Sequence, residues 1–129
     1  MSLKRRFNRL VWFGGPSRDP AENFAARFLK RNGYKIIYRN FETAFAEIDI
    51  IAWKADILAF VEVKQRKSTA FGLPREAVGF EKQRKIRRAA EYYLMKNKTE
   101  KIVRFDVIEI YGDCNGDKKP RIEHIKNAF

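Results

Sequence analysis

Glu47-Ile48-Asp49-Ile50-Ile51-Ala52-Trp53-Lys54-Ala55-Asp56-Ile57-Leu58-Ala59-Phe60-Val61-Glu62-Val63-Lys64 is the stretch that decides the fold. It reads as two strands, about residues 47–53 and 57–64, around a turn at Ala55-Asp56. Both runs are apolar on each face, so the sheet they build has to be covered on both sides. Upstream, Lys35-Ile36-Ile37-Tyr38-Arg39-Asn40 predicts a further strand. Before it, Asp19-Pro20-Ala21-Glu22 predicts a helix start, with Asp19 as N-cap, Pro20 at the first position and Glu22 at the third. Phe24, Ala25, Phe28 and Leu29 continue that helix until Asn32-Gly33. Downstream, a loop with Gly72 and Pro74 leads to a long helix over about 76–97. A strand over 104–111, a turn-rich loop over 112–119 and a short strand over 121–125 follow. The order predicts an α/β domain with a mixed central sheet flanked by helices on both faces.

Within the decisive stretch, four polar groups sit where a buried sheet disfavours them. Glu62 and Lys64 share a face, and Glu47 and Asp49 repeat the spacing on the strand before. A two-residue loop at Ala55-Asp56 sets Lys54 opposite Ile57, which brings Asp49 opposite Glu62 and Glu47 opposite Lys64. Opposed side chains have Cβ atoms about 5 Å apart. Two carboxylates at that distance repel unless a cation lies between them, and burial would otherwise neutralise one. A divalent ion or a nearby lysine resolves the conflict. An ordinary reading remains open, with Glu47–Lys64 a cross-strand ion pair and Asp49 and Glu62 near a solvated strand end. Oxygen ligands without histidine or cysteine favour Mg²⁺ or Mn²⁺ over zinc. Beside a polybasic surface, the reaction such a site suits is phosphodiester hydrolysis, with the lysine orienting water or stabilising developing charge.

The chain carries 28 Lys and Arg against 16 Asp and Glu, for a net charge of +12 in 129 residues. The excess is localised: +5 over residues 1–18, −1 over 19–63, +8 over 64–101 and zero over 102–129. This divides the chain into a basic arm, 1–18, and a single domain, 19–129. The distribution points to a polyanion, foremost nucleic acid, rather than to uniform solubilisation. One cysteine, Cys114, excludes an internal disulfide framework and fits the cytoplasm; with the single His124 it offers no metal set, so both read as structural. No apolar run approaches the length of a membrane span, and no signal peptide is visible.

In the long helix, Ile86, Ala89, Ala90 and Tyr93 form the packing stripe, while Arg84, Lys85, Arg87 and Arg88 occupy the remaining surface. Lys82 falls on the stripe, where it either snorkels from the helix start or reaches a cleft beside Glu62. Arg66 and Lys67, near Ser68 and Thr69, form a rim that could contact phosphate. Trp12 and Phe13 could stack on bases or tuck under the core. Asp106, in an apolar strand, could pair with Arg104 or a nearby lysine. Asp113-Cys114-Asn115-Gly116-Asp117 lacks the spacing and terminal glutamate of a calcium loop and reads as a turn.

Glu47-Ile48-Asp49 followed by Phe60-Val61-Glu62-Val63-Lys64 resembles the D…E-x-K signature of the PD-(D/E)xK restriction-endonuclease-like superfamily. More closely, the chain is similar to the bacterial YraN-like family of small proteins. Ala25-Ala26, Leu29, Gly33-Tyr34, Asn40-Phe41, Phe71-Gly72, Pro74, Glu76-Ala77-Val78, Lys82, Arg104-Phe105-Asp106-Val107 and Ile125-Lys126-Asn127-Ala128-Phe129 carry that similarity. It implies a restriction-endonuclease-like sheet similar to that of archaeal Holliday-junction resolvases and an endonuclease acting on DNA, branched DNA included. Metal ligands are implied at Asp49, Glu62 and the carbonyl of Val63, and a catalytic lysine at Lys64. Glu22 matches a glutamate that supports the metal or its water, although it also suits a capping box. Lys82 is drawn towards the cleft reading, with Arg66, Lys67, Arg84, Lys85 and Arg88 on the nucleic-acid side. A homodimer follows by analogy alone. The chain departs from the family pattern at Ala21 and Ala46, where glycine is usual, and at Gln65, where threonine is common. The alternative function on the same fold is a nucleic-acid-binding protein without hydrolytic activity.

Overall fold

The computed structural model describes residues 19–66, 78–116 and 118–129. The basic arm, with Trp12 and Phe13, and the segment holding Lys67, Ser68, Thr69, Gly72 and Pro74 lie outside the described residues. Helix α1 spans Pro20–Arg31, and strands β1 (Lys35–Glu42), β2 (Glu47–Lys54) and β3 (Ile57–Arg66) follow it. Helix α2 (Phe80–Lys96) then leads to β4 (Ile102–Tyr111) and β5 (Arg121–Ile125). The five strands lie in sequence order in one sheet. β1, β2 and β3 form an antiparallel meander, β3 and β4 run parallel, and β5 returns antiparallel to β4. The mixed sheet with a helix on each face is an α/β architecture consistent with a restriction-endonuclease-like fold.

Local chemistry accounts for the elements. The Asp19 side chain accepts a hydrogen bond from the Ala21 N–H at 2.9 Å and caps α1, and Pro20 follows at the first position, where a missing N–H costs nothing. Gly33, at φ +90°, turns the chain from α1 into β1. The β2–β3 ladder pairs Lys54 with Ile57 and continues to Ile50 with Val61, so Ala55-Asp56 is the two-residue loop expected from the sequence. The long helix begins at Phe80 instead of near 76, because Val78 and Gly79 are non-helical and Gly79 occupies the N-cap position.

Two cores sandwich the sheet. Ala21, Ala25, Ala26 and Leu29 of α1 pack on Ile36, Ile50, Ala52, Ala59, Val61 and Ile108. Three alanines at this contact let the helix approach the sheet closely. On the other face, Ile86, Ala89, Ala90 and Tyr93 of α2 form the expected stripe against Ile48, Ile51, Leu58, Phe60 and Val107. Burying residues from both faces of β2 and β3 supplies most of the hydrophobic stabilisation, at about 25 cal/mol per Å² of apolar surface.

One irregularity positions the site. Ile48 and Ile50 belong to opposite cores, although residues two apart in a regular strand share a face. Opposite this break, Asn40 of β1 adopts φ +53°, and Tyr38 and Phe41, three apart, pack in the same core. Asparagine tolerates the left-handed region better than most residues. The alternation therefore slips by one residue at Asn40 and Asp49, and the polar side chains there gather at one end of the sheet.

Candidate active site

Asp49 stands at that break. The β2–β3 backbone ladder reaches Ile50 and Val61, and beyond it the Val63 N–H donates to Asp49 Oδ2 at 2.8 Å. The side chain thus takes over from a backbone carbonyl, which anchors the carboxylate between the strands. Desolvation, Glu62 and, more weakly, Glu22 and Glu47 push the Asp49 pKa up to about 8, against the opposing effect of the Val63 hydrogen bond. Asp49 and Glu62 both line one cleft, beyond the last rung of the β2–β3 ladder.

Around Asp49 are two distinct carboxylate environments. Glu22, Glu47 and Asp49 each offer an oxygen within 4.8 Å of the others. Asn40 Nδ2 holds the first two, donating to Glu22 Oε1 at 2.8 Å and Glu47 Oε2 at 2.6 Å. Glu22 is buried on α1, so its carboxylate serves this cluster besides lying in the first helical turn. Glu62, only 7% exposed, is instead paired with Lys82, whose Nζ lies 2.5 Å from Oε2. Hydrogen bonding to Glu62 raises the Lys82 pKa despite partial burial. Lys82 therefore reaches the cleft, and a lysine answers the Glu62 charge that the sequence left unresolved. Ala46, Glu47, Asp49, Glu62, Glu81, Lys82 and Lys85 line an open cleft of about 510 Å³.

The remaining sequence-predicted residues divide. Lys64 is half-buried on β3 and stands in register with Glu109 of β4, not with Glu47, whose carboxylate is engaged by Asn40. The Glu47–Lys64 ion pair of the ordinary reading is absent among the described residues, because the break at Asp49 ends the ladder before it reaches them. Val63 contributes its N–H to Asp49. Arg66 pairs with Glu109 at 3.3 Å, and Arg84 with Glu81 at 3.3 Å on the exposed side of α2. Lys85 lines the cleft, and the Arg88 guanidinium lies 4.2 Å from the Phe45 ring centroid.

Two residues of this region escaped the sequence reading as site residues. Asn40 belonged only to a motif, although an asparagine at a strand end could have signalled a left-handed backbone. Glu109 is 2% exposed and accepts a hydrogen bond from the Tyr111 hydroxyl at 2.5 Å. Its spacing from Val107 and Tyr111 places it on the Glu62 face, a signal present in the sequence of β4.

Residues 21–110 match the model of the family described as Uncharacterised protein family UPF0102. The chain belongs to the UPF0102 family. It is 44% identical over 112 residues to a UPF0102 protein of Caldicellulosiruptor saccharolyticus, covering 86% of this chain and 94% of that one. A UPF0102 protein of Acetivibrio thermocellus is 48% identical over 112 residues, 84% of this chain and 86% of the relative. A UPF0102 protein of Clostridium perfringens is 40% identical over 126 residues, covering 97% and 98% of the two chains. The segment matched to UPF0102 runs from the start of α1 to the end of β4 and so contains every carboxylate of the cleft. No described helix of this UPF0102 chain is long and apolar enough to cross a membrane.

Proposed function

We propose that the chain is a metal-dependent endonuclease that hydrolyses phosphodiester bonds in DNA, with branched DNA the favoured geometry from the resolvase resemblance. The observation that carries this reading is the convergence of Asp49 and Glu62, from adjacent strands, in an open cleft whose other wall carries Lys82 and Lys85. The donor set fits Mg²⁺ or Mn²⁺: it is all oxygen, and Glu22, Glu47 and Asp49 already bring oxygens within 4.8 Å of one another. A divalent ion bound there supplies polarisation of the scissile phosphate and a more acidic water.

The chain's own groups supply the rest. Asp49 and Glu62 hold the ion, with the Val63 carbonyl as a further donor and Glu22 supporting the cluster through Asn40. Lys82 pairs with Glu62 before loading and, once released, presents its ammonium to the phosphate. Lys64, two residues beyond Glu62 on the same face, orients the attacking water and offsets developing charge. Lys85 and Arg88 add positive field along the path of the backbone, as does Lys67 beyond the described residues. Cutting both strands of a junction needs two such sites, so the reading includes a homodimer.

A second reading, a nucleic-acid-binding protein without hydrolysis, is favoured by one observation. Lys82 already satisfies Glu62, as a site without metal requires. Incubating branched, flapped and linear DNA with the protein in Mg²⁺ or Mn²⁺ separates the two. Cleavage is expected, with Asp49→Asn and Glu62→Gln each lowering the rate at least about a hundredfold. Intact substrates throughout, with DNA binding unchanged in Glu62→Gln, would establish the second reading.

A further inference from the structure

The outer flank of α2 carries exposed rings, beside its cations, that metal-dependent hydrolysis does not use. Lys85, Arg88, Tyr92 and Lys96 recur at three- and four-residue spacing, so they form one stripe running about 16 Å from the cleft along the helix. Lys85 lines the cleft itself. Next, Arg88 stacks on Phe45, 4.2 Å from the ring centroid, and Phe45 adjoins the cleft-lining Ala46 and Glu47. Tyr92 follows, with Phe41 at 6.4 Å, and Lys96 closes the stripe 5.3 Å from the Tyr92 ring. Phe45 and Tyr92 remain 37% and 40% exposed. Glu91 lies about 100° around the helix from Tyr92 and leaves the stripe itself cationic.

Alternating cations and exposed rings suit one ligand chemistry. A polyanion satisfies the lysines and arginine, and only a polyanion with flat, accessible π-faces also satisfies the rings. Bases of a duplex are stacked internally and offer no such faces, whereas those of an unpaired strand do. A guanidinium already lying on Phe45 keeps its outer face open to a base. We infer that this stripe binds the bases of an unpaired nucleic-acid strand leading out of the carboxylate cleft. The inference rests on the nuclease reading for which phosphate enters the cleft, and it narrows the substrate to one with a single-stranded segment beside the cut. The competing explanation is a surface staple, in which Arg88 and Phe45 merely hold the β1–β2 loop against α2.

Binding measured in EDTA isolates the stripe from any hydrolysis. Fluorescence anisotropy of the full chain is read with labelled oligo-dT, oligo-rU, an abasic oligonucleotide of equal charge and a hairpin duplex. Phe45→Ala and Tyr92→Ala are each expected to weaken oligo-dT binding at least about fivefold. The same changes should leave the abasic strand and the duplex within twofold. Oligo-dT against oligo-rU distinguishes DNA from RNA as the source of the bases. Phe45→Trp should preserve binding and add an indole signal that is quenched by oligo-dT, a readout a staple would not give. Equal losses on all four ligands, or no loss with folded variants and no quenching, would overturn the inference. An EDTA-resistant, base-dependent contribution in a protein that cuts nothing leaves the stripe standing and the nuclease reading fallen. Cleavage that persists unchanged in Phe45→Ala gives the reverse.

Discussion

Asp49 on β2 and Asp106 on β4 are both aspartates in the central sheet, and their surroundings are opposites. Asp106, 0% exposed, accepts from Arg104 Nε and Nη2 at 2.8 Å each and from the Asn127 N–H at 3.0 Å, and pairs with His124 Nε2 at 2.9 Å. Burial alone would raise its pKa, but the bonds from His124, Arg104 and Asn127 hold it below the ordinary range. Asp49 has one backbone donor and three neighbouring carboxylates, and its pKa is pushed up to about 8. The fold completes the electrostatics of Asp106 from its own groups and leaves those of Asp49 in deficit. A charge that folding satisfies is structural; a charge that folding leaves short of partners is one that a ligand can complete.

The sharpest way to break this contrast is substitution at both positions. Asp106→Asn should cost about 3–5 kcal/mol in urea unfolding, since Arg104 and His124 lose the carboxylate charge and one of the two acceptor oxygens that join β4 to β5 and the C-terminal residues. Asp49→Asn should leave stability unchanged or raise it at pH 8 without metal, because it removes a repelled carboxylate. Comparable losses in the two variants would dissolve the distinction.

A smaller effect is expected from metal. At a concentration a hundredfold above Kd, Mn²⁺ should add about 2.7 kcal/mol of stability at pH 8. The gain should shrink towards pH 5 and vanish in Asp49→Asn, as thermal unfolding would report. Without metal, the raised Asp49 pKa means that the folded state binds the proton more tightly than the unfolded chain. Stability is therefore expected to fall as pH rises from the usual aspartate range towards about 8, and this slope should flatten in Asp49→Asn. Asp106 acts with the opposite sign: its contribution is present above the unfolded pKa and lost as acid titrates the folded group.

The smallest effect belongs to Asn40. Asn40→Gly keeps the left-handed backbone but removes both bonds to Glu22 and Glu47, and about 1 kcal/mol of destabilisation is expected. Asn40→Ala adds backbone strain and should cost more. Equal costs in denaturant titrations would show that φ at this position carries no weight.

Much of this arrangement was legible in the sequence. The α1 cap, the register of the β2–β3 hairpin and the bounds of β5 followed from turn chemistry and alternation, which act locally. Lys82 was legible as a cation out of place on an apolar stripe. The break at Asn40 and Asp49 was not, because its one mark, the asparagine late in β1, reads equally well as an ordinary strand residue. That slip is why Glu47 meets Asn40 in place of Lys64, and why Glu22 and Glu47 join Asp49 while Glu62 goes to Lys82. The start of α2 was misjudged for a related reason: Gly79 has no capping side chain to announce the first turn.

The sheet topology has a consequence for how the cleft is made. β1, β2 and β3 are joined by short connections, so their pairing closes small loops and can proceed on the microsecond scale of hairpins. β4 adds to β3 in parallel only after the chain from Arg66 to Ile102 has closed and α2 has formed within it. Asp49, Glu47 and Glu62 are thus expected to gather early, in a meander still lacking the Lys82 that neutralises Glu62. Pulse-labelled hydrogen exchange should show amides of β2 protected before those of β4, with the protection of β2 itself hastened by Glu62→Gln. The negative charge of the cleft would then act as a brake on the chain's own refolding, released when α2 docks its lysine.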